Sequence, residues 1–146
     1  MSERRSIKAP TDNDWISARA AVLVGLAGLV LTVVLIVTLE HRTVVDLTAA
    51  TVAMVYGVYG GFAIKSGQLK DLAIEGGFIL VGLATVVLGL DHGHYWLAVG
   101  LLLHGVWDLL HHPRHKIVGT AGVPAWYVPF CAVYDISAAI AIALLL

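Results

Sequence analysis

From position 104 the chain reads His-Gly-Val-Trp-Asp-Leu-Leu-His-His, in the middle of a long apolar stretch. A helix turns about 100° per residue, so His104, Asp108 and His111 fall within roughly 60° of one another, with His112 at the margin of the stripe. Imidazoles and a carboxylate on one helix face can ligate a metal or carry protons. Two neighbouring stretches add to the set: Glu75 stands one turn inside another apolar run, and Asp135 follows Cys131 by four residues, on the same side of a third. Tyr56, Tyr59 and Trp107 supply further polar atoms at a similar level. Imidazole with carboxylate suits zinc or iron, and either ion neutralises carboxylates that are otherwise costly to keep charged away from water. His104, Asp108, His111, His112, Glu75 and Asp135 are therefore the expected metal ligands, with Cys131, Tyr56, Tyr59 and Trp107 lining the site.

These residues need elements to hold them, and the composition says what those elements are. Of 146 residues, 59% are hydrophobic and 13% charged, with a mean hydropathy of +0.87. A water-soluble domain carries about a quarter charged residues, so this chain takes the lipid bilayer as its solvent. A net charge of -1 supplies no excess of Lys and Arg for a nucleic-acid partner. The single cysteine excludes an internal disulfide.

Crossing a hydrocarbon layer of about 30 Å takes about 20 apolar residues of helix. Five stretches qualify: 18–39, 44–64, 72–90, 95–112 and 125–146. The fourth stops before Pro113, which has no N–H to continue a helix. Helices are the expected form because a lone strand leaves its backbone unpaired in lipid. The sequence thus predicts an all-α membrane protein with a single five-helix domain over 18–146, preceded by a cytoplasmic segment, 1–17.

Lys and Arg near span ends are retained on the cytoplasmic side. With five alternating spans, Arg4, Arg5, Lys8, Arg19, Lys65, Lys70, Arg114 and Lys116 share one side and only Arg42 falls on the other. That asymmetry predicts a cytoplasmic N-terminus, an outside C-terminus and a multi-pass location in the cell membrane. No signal-peptide cleavage pattern and no myristoylation glycine is present at the start. At about 1.5 Å per residue, Asp108, Glu75 and Cys131 lie roughly 6–9 Å from the cytoplasmic ends of their spans, and His104 and Asp135 roughly 12–15 Å. All occupy the same half of the bilayer. Small residues at packing spacing, including Gly25, Gly28, Gly57, Gly61, Gly76, Gly77 and Gly82, are expected where helices approach closely.

His104, Trp107, Asp108, His111 and His112, followed by Pro129, Cys131 and Asp135, resemble a family of small, uncharacterised prokaryotic integral membrane proteins with an H-x-x-W-D-x-x-H-H helix and a later Cys/Asp helix. The likeness covers about the last 45 residues. It implies the helical membrane fold and these site residues, without implying a reaction.

Three functions follow from such a cluster. The first is a membrane metalloenzyme holding zinc or iron and acting on a lipid-soluble small molecule. A small oligomeric proton, ion or metal transporter subunit, built as a homo-oligomer because five helices leave little room for a pore, is the second. The third is an accessory subunit whose polar groups only join helices. On the opposite side, Asp91-His92-Gly93-His94 reads as a solvated turn, and Trp126 with Tyr127 as an interfacial aromatic belt. The connection from His112 to Trp126 reads as a connector that touches anionic lipid.

Overall fold

The computed structural model describes the backbone of residues 12–111 and 123–146, and side chains from Ala18 onward within that range. His112, the basic residues Arg114 and Lys116, and the N-terminal Arg4, Arg5 and Lys8 lie outside the described residues.

The described residues form five helices: α1 (Asp12–Thr38), α2 (His41–Ser66), α3 (Leu69–His92), α4 (Tyr95–Leu110) and α5 (Tyr127–Leu145). Among the described residues α1, α2, α3 and α5 are long and apolar enough to cross a membrane; α4 is apolar but shorter. Its 16 residues give a rod of about 24 Å. The expected fourth span ran to residue 112, but the helix ends at Leu110 and His111 caps it, its N–H bonding back to Trp107 and Asp108. At the other end of the chain, α1 begins at Asp12, ahead of its apolar stretch.

The turns follow from local chemistry. α2 stops at Gly67, which takes a left-handed φ of 68° and returns its N–H to the carbonyl of Ile64, a conformation that glycine alone adopts at no steric cost. Gly93, at φ 123°, separates α3 from α4. These two turns mark the opposite ends of the bundle, called here the Gly67 end and the Gly93 end.

Sequence neighbours α2, α3 and α4 pack side by side, α4 packs along α5, and α5 along α1. The order around the bundle is therefore α2, α3, α4, α5, α1. α2 also touches α4 across the interior, whereas α1 barely touches α2. Leu23, Val30, Val37, Leu80 and Val87 point outward and are more than half exposed. Helices apolar on all sides have no face to give to water, so lipid is the medium that such a surface fits.

The apolar core fills the Gly93 half, where Val52, Leu97, Leu101, Ala138 and Ile142 are shielded almost completely. Close helix approach depends on particular glycines. A Cβ at Gly82 would strike the Tyr56 ring, one at Gly100 would crowd Thr85, and one at Gly105 would stand 2.7 Å from Ile136. Gly25 and Gly28 meet Phe130 and Tyr134 of α5 in the same way. Among the described residues the packing expectation fails at Gly57, Gly61, Gly76 and Gly77, because no described neighbour comes within 4 Å of where their Cβ would stand.

Candidate metal centre

The interior of the Gly67 half is polar. α4 presents His104 and Asp108 one turn apart, and both are 0% exposed, as is Asp135 of α5. His104 Nδ1 lies 2.7 Å from Asp135 Oδ2 and 3.3 Å from Asp108 Oδ2. Its other nitrogen, Nε2, is 3.0 Å from the main-chain oxygen of Val55 on α2. A carbonyl only accepts, so Nε2 carries a hydrogen and Nδ1 is the nitrogen that faces the carboxylates. Asp108 Oδ1 accepts a 2.6 Å hydrogen bond from the Tyr59 hydroxyl.

One oxygen of each aspartate, Asp108 Oδ2 and Asp135 Oδ1, has no hydrogen-bond partner among the described residues although both are buried. Buried acceptors of this kind are rare, and an ion is one of the partners that would satisfy them. His104, Asp108 and Asp135 can each offer one ligand atom with all such atoms within 4.8 Å of one another. Ligands bound at about 2.0–2.2 Å in a tetrahedron stand roughly 3.3–3.5 Å apart. The spacing of His104 Nδ1 from Asp108 Oδ2 already fits; that from Asp135 Oδ2 is a hydrogen-bond spacing and must open by roughly 0.6–0.8 Å to admit an ion.

Glu75, His111 and Trp107 form a second, adjoining group. Glu75 Oε2 accepts from the Trp107 indole at 3.0 Å, and Oε1 lies 2.8 Å from His111 Nε2. His111 Nδ1 donates to the Trp107 carbonyl at 2.9 Å, one of the helix-end carbonyls with spare accepting capacity. Glu75 and His111 thus face each other, outside the His104 trio. Tyr59 stands between the groups, its ring 5.4 Å from that of His104 and 4.6 Å from that of His111. Phe78 stacks on Trp107 with centroids 4.2 Å apart. The hydroxyl of Tyr56 donates to the Gly100 carbonyl instead, and the Cys131 thiol is buried beside Tyr59 and Tyr127.

Two features were not read from the residue types. The Val55 carbonyl is a backbone group, and every residue has one. Tyr127 is not the belt residue expected beside Trp126: Trp126 is exposed, but Tyr127 is buried with its ring 5.9 Å from that of Tyr59. It begins α5, so its side chain turns inward with the helix face that carries Cys131.

At the Gly93 end, His92 is exposed as expected of a turn, while His94 is half-buried with its ring 5.8 Å from that of His41. Burial, and secondarily the nearby His41, hold the His94 imidazole below its ordinary pKa. A cavity of about 410 Å³ beside them is lined by Arg42, Asp46 and Gly89 among others.

No protein-family model, curated protein or solved structure matches the chain. What the site does has to be argued from its own geometry.

Proposed function

We propose that this chain is a multi-pass protein of the cell membrane, N-terminus on the cytoplasmic side, that holds one divalent transition-metal ion, zinc or iron, on His104, Asp108 and Asp135 in the inner half of the bilayer. The observation that carries the reading is the pair of unpartnered carboxylate oxygens on Asp108 and Asp135 beside His104 Nδ1. Two carboxylates kept ionised side by side in the interior call for two compensating positive charges, which one divalent ion would supply. The hydrogen bond from Nε2 to the Val55 carbonyl orients the ring as the outer partners of metal-bound histidines do. Three protein donors leave one coordination position open, the arrangement of a reactive metal and not of a closed structural one. Zinc held by these three residues would lower the pKa of a water bound at the open position, and iron would offer redox chemistry. A membrane metalloenzyme is the function this arrangement supports best. Tyr59 holds Asp108 in place, and the Glu75–His111–Trp107 group closes the site on the side of the Gly67 end.

A transporter is the second reading, favoured by the sequence of polar side chains from Glu75 and His111 past Tyr59 to Asp108, His104 and Asp135. Metal analysis of detergent-purified protein tests the bound ion that a metalloenzyme or a metal transporter needs and a proton path does not. One zinc or iron per chain, lost in His104→Ala and Asp135→Asn variants that melt as the parent does, is the expected result. A metal-free parent after purification without chelators, followed by no uptake of added zinc or ferrous iron, overturns the metal reading.

A further inference from the structure

Because α1 lies along α5 and barely touches α2, a cleft of about 640 Å³ opens sideways between α1 and α2, with Gly28, Thr32, Ala50, Thr51, Met54 and Tyr134 in its walls. That volume is within the range of about 300–1,000 Å³ common to small-molecule sites. A deeper recess shares Thr32, Thr51 and Tyr134 with it and continues inward to Thr48 and to Leu101 of α4. The walls are apolar apart from four hydroxyls, and the hydrogen of each is already used. Thr32 donates to the Gly28 carbonyl at 3.0 Å, Thr48 to Val44 at 2.7 Å and Thr51 to Leu47 at 2.9 Å. With the Thr32 hydrogen spent, the 3.2 Å contact between the two hydroxyls has Tyr134 as donor and Thr32 as acceptor. The oxygens of Thr48, Thr51 and Tyr134 keep free lone pairs and have no hydrogen left to give.

A hydrocarbon cleft that offers only acceptors selects among membrane-soluble ligands. Esters, ethers and ketones bring more acceptors. Along their middles the outward faces of this chain's own helices, such as Leu23, Val30, Val37, Leu80 and Val87, bring no donor, and the exposed aromatic donors Tyr95, Trp96 and Trp126 stand at helix ends, so a second copy seated on a mid-span face leaves the lone pairs unused. We propose that the α1/α2 cleft binds a lipid alcohol, its chain along α1 and its hydroxyl donating to the oxygens of Thr48, Thr51 or Tyr134. The site stands on different residues from the metal centre and does not depend on a metal being held.

The test compares hexadecanol with hexadecyl methyl ether, which has the same chain without the donor, by native mass spectrometry of the full chain released from detergent micelles. The alcohol is retained about five- to tenfold better than the ether, as a single hydrogen bond made in an apolar setting implies. Tyr134→Phe alone would free the Thr32 oxygen to accept, so the variant that removes the preference and leaves ether binding unchanged combines Thr32→Val, Thr48→Val, Thr51→Val and Tyr134→Phe, while Ala50→Trp blocks the cleft and lowers retention of both. If that combined variant does not fold, the alcohol-to-ether ratio of the parent and the Ala50→Trp variant decide alone. Equal retention of alcohol and ether overturns the proposal in favour of ordinary acyl-chain contact. Disulfide linkage between copies through Met54→Cys, undiminished by hexadecanol, overturns it in favour of a helix of a second copy.

Discussion

The imidazole of His104 is fixed to the backbone of another helix: its Nε2–H donates to the Val55 carbonyl across a 3.0 Å gap from α4 to α2. Because Val55 cannot donate in return, the tautomer is set by the main chain and survives any change in the carboxylates. Long-range nitrogen–proton spectra of the protein labelled at histidine will show His104 protonated at Nε2. Addition of zinc then moves the Nδ1 resonance and leaves the Nε2 proton in place. A His104 protonated only at Nδ1 contradicts this geometry.

Glu75 joins the half-buried Trp107 indole and the buried His111 Nε2, for which the described residues offer no other partner. Glu75→Leu strands both and lowers stability by about 2–4 kcal/mol, whereas Glu75→Gln keeps an oxygen for the indole and an N–H for the imidazole and loses less than about 1 kcal/mol. Thermal unfolding in one detergent ranks the two variants. Equal losses mean that the carboxylate charge, and not the hydrogen-bond pattern, holds this group together.

The glycines divide into two kinds by what surrounds them. Gly82→Ala pushes a methyl into the Tyr56 ring and destabilises by about 1–3 kcal/mol. Gly57→Ala meets open space and stabilises by a few tenths to about 1 kcal/mol through helix propensity. Melting temperatures of the two single variants should move in opposite directions, and a common direction shows that one of these helix contacts is misplaced.

His94 provides a pH dependence outside the membrane segments. Its folded pKa is lowered, first by burial and then by His41, in a pocket that Arg42 and Asp46 also line. Above the unfolded value of about 6.5 both folded and unfolded chains hold it neutral. As pH falls through that value the unfolded chain binds a proton that the folded turn refuses, so stability declines until the folded pKa is passed. A proton NMR titration will place the His94 midpoint below 6.5. His41→Ala raises the midpoint without restoring it fully, since burial remains; a parent midpoint at or above the ordinary value excludes the buried turn.

Much of this organisation was legible in residue order because lipid imposes a simple rule. Apolar stretches closed by Arg42, Lys65 and Pro113 give helices within a few residues of those observed, and the one-turn spacing of His104 and Asp108 puts them together whatever the neighbours do. Which polar residue meets which was not legible. The 100° geometry puts His111 on the stripe of His104, yet it pairs with Glu75 because α3 lies beside the end of α4, and only the packed bundle sets that register. Asp135 joins His104 because Gly105 lets α5 close to the distance of a side-chain contact, a matter of volume instead of spacing. Tyr127 was misassigned for the same reason: a tyrosine near a span end serves as an interfacial anchor only if its helix faces outward.

The packing of α1 against α5 also bears on how the chain is made. α2, α3 and α4 can associate as they emerge, each beside its predecessor in the chain. The first helix has little to hold on α2 and must wait for the last, which is synthesised after it by about 90 residues and so, at about 5–20 residues per second, several seconds later. During that interval α1 is held by lipid alone, and removal of α5 would leave the most lipid-exposed helix of the protein as an unattached tether.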